Sequence, residues 1–124
     1  LFPITKAYFQ RLQWFRYPYL REGDTKAKLE AMRSALGKAR MRNLPVTIDT
    51  QDWFFDKSWR EGSEPQKAEI AARYQASLRG SITHYRELSK KLFKKDVPQV
   101  LLLHANHIGA DQWDALFTWM KAQG

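Results

Sequence analysis

Short apolar segments alternate with helical patterns along this chain of 124 residues, and this order restricts the possible folds more than any other feature. The strand-like segments are residues 14–17, 46–49 and 100–103. The third is a continuous apolar run, which is typical of a strand buried on both faces of a parallel sheet. Alternating strands and helices indicate an α/β fold. Because three strands are too few to cover themselves, we expect part of a larger α/β domain.

Two helices are predicted between the strand-like segments. The first begins at a start signal over residues 23–25 and ends at Gly37. The second begins at a capping box formed by Ser63 and Gln66 and ends before Pro98. Its apolar residues fall on one stripe: Ile70, Tyr74, Leu78, Ile82, Tyr85, Leu88 and Leu92.

The rest of the second half is predicted as loop and a last helix. Residues 53–62 are polar and aromatic, and we predict a loop there. Asp111 is predicted to cap the last helix. The apolar stripe of that helix is Trp113, Leu116, Phe117 and Met120.

Composition excludes several classes of protein and leaves one alternative open. The chain has no cysteine, which excludes a disulfide scaffold and Cys-ligated zinc or iron–sulfur sites. No apolar run approaches the roughly 20 residues of a membrane-spanning helix. Lys and Arg number 21 against 13 Asp and Glu, giving a net charge of +8. This excess leaves open a basic non-catalytic module that binds nucleic acid or an anionic polymer. Because no nucleic-acid-binding signature is visible, we do not expect nucleic acid as the main partner.

Polar side chains stand where each strand-like segment ends. Arg16 and Tyr19 lie at the end of the first, Asp49 and Asp52 follow the second, and His104 follows the third. Functional sites gather at the carboxyl ends of parallel strands, so we expect a guanidinium, a carboxylate and an imidazole to converge there. Histidine is a natural general acid or base. The pattern therefore predicts an active site.

These strand ends carry three motifs that resemble those of the polysaccharide deacetylase family, also called carbohydrate esterase family four. Residues 16–19 match its Arg-x-Pro-Tyr motif, residues 49–53 match Asp-x-x-Asp-Trp, and residues 102–104 match Leu-x-His. The motifs follow one another in the order of the family. The resemblance to this nodulation-type deacetylase domain extends over residues 14–124.

The resemblance implies a fold and an activity. The expected fold is α/β, a partial distorted (β/α) barrel in which parallel strands alternate with helices. The expected activity is that of a metal-dependent hydrolase of non-peptide carbon–nitrogen bonds. It would remove N-acetyl groups from a glycan such as peptidoglycan, chitin or poly-N-acetylglucosamine.

The resemblance also implies roles for particular residues. His104 is expected to act as the general acid that protonates the leaving amine, and Asp52 as the partner that tunes it. Arg16 is expected to orient the catalytic-base Asp, and the backbone N–H of Tyr19 to donate to the oxyanion. Without the family motifs, Arg16 would be interpreted as a surface ion-pair partner and His104 as a core histidine.

Further residues of the motifs have weaker assignments. Trp53 and Leu102 are expected to form walls of a pocket for the acetyl methyl group, although Trp53 could simply be a core residue and Leu102 is a core residue under either interpretation. Asp49 matches its motif without an assigned role. We interpret His107 as a loop residue rather than a metal ligand, and we assign no role to His84.

Two family motifs, Thr-Phe-Asp-Asp and a pair of His four residues apart, are missing from this sequence. They would supply the base and the metal ligands. We therefore expect residues 1–124 to be the C-terminal part of one deacetylase-like domain, inactive when isolated. A divalent metal, with zinc the expected ion, would belong to the complete domain and none to this chain alone. The expected partners are an N-acetylated polysaccharide and the missing N-terminal half, and the family's frequent export suggests a periplasmic or extracytoplasmic location.

Overall fold

The fold is mainly helical, so the expected (β/α) barrel is wrong. In the computed structural model, which describes residues 13–124, helices account for 64% of the residues and strands for 7%. Each strand within this range has two residues, and the strands pair as two separate parallel sheets. The strand-like segments form ladders at the predicted places. These ladders are too short and too few to make a barrel wall.

The described residues divide into two units, one ending at Pro45 and the other running from Val46 to Gly124. The first contains, in chain order, β1 (Trp14–Phe15), a short 3₁₀ turn (Pro18–Leu20), α1 (Lys26–Lys38) and β2 (Arg42–Asn43). The second contains β3 (Ile48–Asp49), α2 (Asp52–Glu61), α3 (Glu64–Phe93), β4 (Leu101–Leu102) and α4 (His107–Ala122).

The first unit is a strand–helix–strand arrangement. Trp14 pairs with Arg42 in a parallel ladder, and the Arg42 guanidinium lies 4.5 Å from the centre of the Trp14 ring. The predicted helix is confirmed. Its N-cap is Thr25, whose hydroxyl accepts the N–H of Lys28 at 3.2 Å, and it passes Gly37 by one residue.

The second unit has its core around α3. The core consists of buried residues from β3, α3 and α4: Ile48, Tyr74, Leu78, Ile82, Ile108 and Leu116. The predicted capping box is confirmed, because the N–H of Ser63 donates to Oε1 of Gln66 at 2.8 Å. Only the first part of the predicted stripe is buried, since Tyr85, Leu88 and Leu92 are exposed.

Two further predictions in the second unit are wrong. The predicted loop over residues 53–62 is helix α2, whose Phe55 and Trp59 pack against the core. Two of its buried positions carry aspartates, so the apolar residues alone do not show the helical spacing. The last helix begins at His107 rather than near Asp111, because Asn106 is its N-cap.

Candidate active site

The parallel pairing of β3 and β4 brings two chain segments to one edge. Ile48 pairs with Leu101 and Asp49 with Leu102, so both strands end at the same edge. Directly beyond β3, the hydroxyl of Thr50 donates to the carbonyl of Leu102 at 2.7 Å. The residues that follow the two strands therefore leave the sheet side by side.

Asp52 occupies the first turn of α2 at this edge, and its side chain is fully buried. Its Oδ1 lies 2.6 Å from Nδ1 of His104. Its Oδ2 accepts the N–H of His104 at 2.7 Å and the side-chain amide of Asn106 at 3.1 Å. A buried carboxylate needs such donors, and the first turn of a helix also favours negative charge. The structure thus brings the sequence-predicted Asp52 and His104 into direct contact.

The imidazole of His104 has one engaged and one outward nitrogen. Its side chain is 49% exposed, while its Asp52 partner is inaccessible. The carboxylate requires a hydrogen on Nδ1, so a neutral ring in this position carries its lone pair on Nε2. Nε2 is therefore the nitrogen that can exchange a proton with a substrate.

Arg16 and Tyr19 belong to the first unit. Arg16 is partly buried, and its Nε has no hydrogen-bond partner among residues 13–124. Tyr19 is 93% exposed and takes the left-handed conformation with φ of 53°. The expected role of Arg16 in orienting the catalytic base and that of the Tyr19 N–H in binding the oxyanion stay predictions.

The remaining motif residues lie around the same edge of the second unit. Trp53 follows Asp52 on α2 and is 60% exposed, so it is not a core residue. Leu102 is partly buried in β4. Asp49, the last residue of β3, is exposed, and its Oδ1 accepts the N–H of Gln51 at 3.1 Å in the turn that follows the strand.

A second buried carboxylate, Asp56, lies one turn further along α2 and was not predicted. Its Oδ1 accepts the N–H groups of His107 at 2.8 Å and Ile108 at 3.1 Å, and its Oδ2 accepts Nε of Arg60 at 3.0 Å. Burial acts to raise the pKa of Asp56. The hydrogen bonds from Ile108, Arg60 and His107 outweigh burial, so the pKa is lowered. Asp56 therefore fixes the start of α4 to α2.

His107 is the first residue of α4, not a loop residue as predicted. Its ring is 68% exposed, and Nδ1 lies 3.7 Å from Oδ1 of Asp56, beyond hydrogen-bonding distance. Its backbone N–H, rather than its ring, makes the firm contact with Asp56.

The implied metal does not fit the residues described. Within residues 13–124, no group of three or more His, Asp or Glu side chains is placed to hold a metal ion. A catalytic zinc site uses three protein ligands. Both Asp52 and Asp56 direct their carboxylate oxygens at N–H donors instead.

Comparison with models of protein families finds none that matches this chain, and comparisons with curated proteins and with solved structures find no match either. Across residues 13–124, no helix combines the length and the apolar character that crossing a bilayer requires. The sequence motifs and the geometry of the Asp52–His104 pair are therefore the features that bear on function.

The charge of Asp56 should stabilise the fold in a pH-dependent way. Because its pKa is lowered in the folded state, the stabilisation is complete above the usual value of 3.8 and is lost as the pH falls through the lowered value. We expect Asp56→Asn to reduce the free energy of unfolding by about 1–3 kcal/mol at neutral pH. Urea unfolding of both proteins over a pH series should show this difference shrinking in acid.

The exposed Asp111 offers a matched control for this measurement. Asp111→Asn removes the same charge from the surface of α4 and should change the free energy of unfolding by less than about 0.5 kcal/mol. A difference between the wild type and Asp56→Asn that grows in acid would contradict the assignment.

Proposed function

We propose that this chain supplies the general acid of a polysaccharide N-deacetylase, an enzyme that hydrolyses N-acetyl groups of a glycan. The observation that carries the proposal is the 2.6 Å contact between Nδ1 of His104 and the fully buried Asp52. Two separate sequence motifs that resemble those of the deacetylase family contribute one residue each to this contact.

Amide hydrolysis requires an acid that protonates the leaving nitrogen. Water adds to the acetyl carbonyl carbon and gives a proton to the base, which the resemblance assigns to the missing part of the domain. The carbon–nitrogen bond then breaks, and the nitrogen leaves only if it gains a proton. A protonated His104 can donate that proton from Nε2, giving acetate and a free amine. The negative charge of Asp52 stabilises the imidazolium and holds the ring in place.

The surroundings of Asp52 suit it to this role. All three hydrogen-bond donors to Asp52 belong to His104 and Asn106, so the carboxylate is held beside the imidazole ring of His104. The ring itself is half exposed and can meet a large substrate at the surface. Trp53, which follows Asp52 and is largely exposed, offers an apolar surface for the acetyl methyl group or a sugar face.

The charge of the chain gives less support to a basic binding module. Several basic side chains lie in ion pairs within the second unit, including Lys67 with Glu64, Arg73 with Glu69, and Arg86 with Asp96. A polyanion would have to displace these carboxylates to reach the paired basic side chains. We therefore propose the hydrolase.

The test is release of acetate from an oligomer of N-acetylglucosamine by the product of the complete reading frame, with zinc supplied. We expect acetate and free amine to appear in equal amounts. The sequence preceding Leu1 should contain the Asp-Asp and His-x-x-x-His motifs. A product that carries these motifs and releases no acetate would contradict the proposal, and a reading frame without them would indicate a non-catalytic relative.

The pairing itself can be tested without activity. Nitrogen NMR of the protein with labelled histidine, of which this chain has three, should find neutral His104 with its hydrogen on Nδ1. In Asp52→Asn, the amide can present either a donor or an acceptor to the ring, so both ring tautomers should appear. His84, an exposed residue of α3, should give the same spectrum in both proteins. A wild-type His104 with its hydrogen on Nε2 would exclude the pairing.

A further inference from the structure

We infer that Asn106 is a positioning residue that fixes Asp52, and through it His104, to the start of α4. This inference rests on the proposed function for its catalytic consequence. Sequence reasoning did not predict a role for this residue. Asn106 touches neither Nε2 of His104 nor any group expected to react, so it would act only through Asp52.

The side-chain amide of Asn106 uses both of its ends. Its Oδ1 accepts the N–H of Gly109 at 2.8 Å, which makes it the N-cap of α4. Its Nδ2 donates to Oδ2 of Asp52 at 3.1 Å. Turning the amide over would face an oxygen to a carboxylate and an NH₂ to a backbone N–H, so only one orientation satisfies both neighbours.

Gly109 provides the space that the amide of Asn106 occupies at the start of α4. A side chain at position 109 would place its Cβ 2.7 Å from Oδ1 of Asn106 and 2.6 Å from the ring of Trp113. Atoms do not approach this closely, so the position requires glycine. The amide of Asn106 is thus packed directly against the first turn of α4.

The contact with Asn106 determines how the Asp52 carboxylate is oriented. Oδ2 of Asp52 receives two donors, the backbone N–H of His104 and Nδ2 of Asn106, while Oδ1 faces the imidazole. Two donors on one oxygen limit rotation of the carboxylate about its bond to Cβ. Removing the Asn106 donor would free that rotation and loosen the imidazole that depends on it.

Replacement by serine separates positioning from helix capping. Serine caps helices about as well as asparagine, but its shorter side chain has no amide to donate to Asp52. In Asn106→Ser we expect kcat for acetate release to fall by roughly tenfold or more, the factor typical of a hydrogen bond to a charged group. KM should change little, and NMR should find that the Nδ1 hydrogen of His104 exchanges with solvent faster than in the wild type.

Two further variants complete the design. Asn106→Asp keeps the cap and the shape, but it has no N–H and sets a second carboxylate beside Asp52, so it should lower kcat at least as much. Thr25→Ala removes the N-cap of α1 in the first unit and should leave kcat and the His104 spectrum unchanged. Thr25→Ala thus measures the effect of losing a helix cap, which both Asn106 variants avoid.

The NMR and activity measurements separate the two hypotheses. If the Nδ1 hydrogen of His104 exchanges with solvent as slowly in Asn106→Ser as in the wild type, Asn106 is only a helix cap and the inference is wrong, whatever the activity. If that exchange is faster while the wild type releases no acetate, the positioning role holds and the proposed function fails. Faster exchange with unchanged kcat would exclude a catalytic consequence.

Discussion

Acetate release should fall by roughly 10²- to 10⁴-fold when His104 is replaced by asparagine, which is the usual contribution of a general acid. Asparagine is the informative replacement, because its amide can donate to Asp52 from about the position of Nδ1. The buried carboxylate would then keep its partner, and the variant would lack only the outward Nε2. The measurement is kcat of the product of the complete reading frame with an N-acetylglucosamine oligomer, combined with thermal unfolding to show that the fold is retained.

His84→Asn is the matched control for this experiment. His84 lies exposed on α3 and has no part in the proposed proton transfer, so kcat should stay within twofold of the wild type, roughly the scatter expected for a surface substitution. A folded His104→Asn protein that retains the wild-type rate would rule out His104 as the proton donor. Loss of activity in both variants would point to a general effect of changing a histidine instead.

Replacing Tyr74 with alanine should reduce the free energy of unfolding by about 3–5 kcal/mol, the range for removing a large aromatic side chain from a core. Tyr74 is fully buried, and its ring centre lies 5.6 Å from that of Phe55 on α2. Its hydroxyl accepts Nε1 of Trp113 on α4 at 3.2 Å. One side chain thus contacts both helices that form the candidate site, so catalysis should weaken together with stability.

Tyr74→Phe separates the ring from the hydroxyl. This variant keeps the packing and removes only the acceptor for Trp113, so it should cost about 1 kcal/mol in urea unfolding. Burial and the nearby charge of Asp52 raise the pKa of Tyr74, against the opposing hydrogen bond from Trp113, so the hydroxyl should stay protonated in mildly alkaline solution. Equal losses in the two variants would show that the hydroxyl, rather than the ring, stabilises this core.

The meeting of Asp52 and His104 could be predicted from the sequence because it depends on strand order alone. Residues that follow two adjacent parallel strands must leave the same edge of a sheet, however short the ladder is. The places of β1, β3 and β4 follow from their apolar residues. The lengths of these strands cannot be predicted in the same way, since a two-residue ladder and a longer one have the same local pattern of apolar residues.

Helix α2 could not be predicted from its apolar residues because two inward positions are aspartates. Asp52 and Asp56 lie one turn apart, as buried residues of a helix do, but carboxylates are seldom buried without partners. Their partners are the N–H groups of residues 104–108, which only the folded chain brings near. The same contacts explain why the N-cap of α4 is predicted at the wrong residue. Asn106 and Asp111 are equally good N-cap candidates in the sequence alone.

The backbone contacts of α2 have a consequence for how this edge could change in evolution. Asp52 and Asp56 bind main-chain N–H groups at residues 104, 107 and 108, which every amino acid except proline provides. The side chains at 105 and 107 point into solvent and take no part in holding the turn. In the proposed deacetylase, substrate preference at this edge can therefore diversify through those two positions while the contact between Asp52 and His104 is kept.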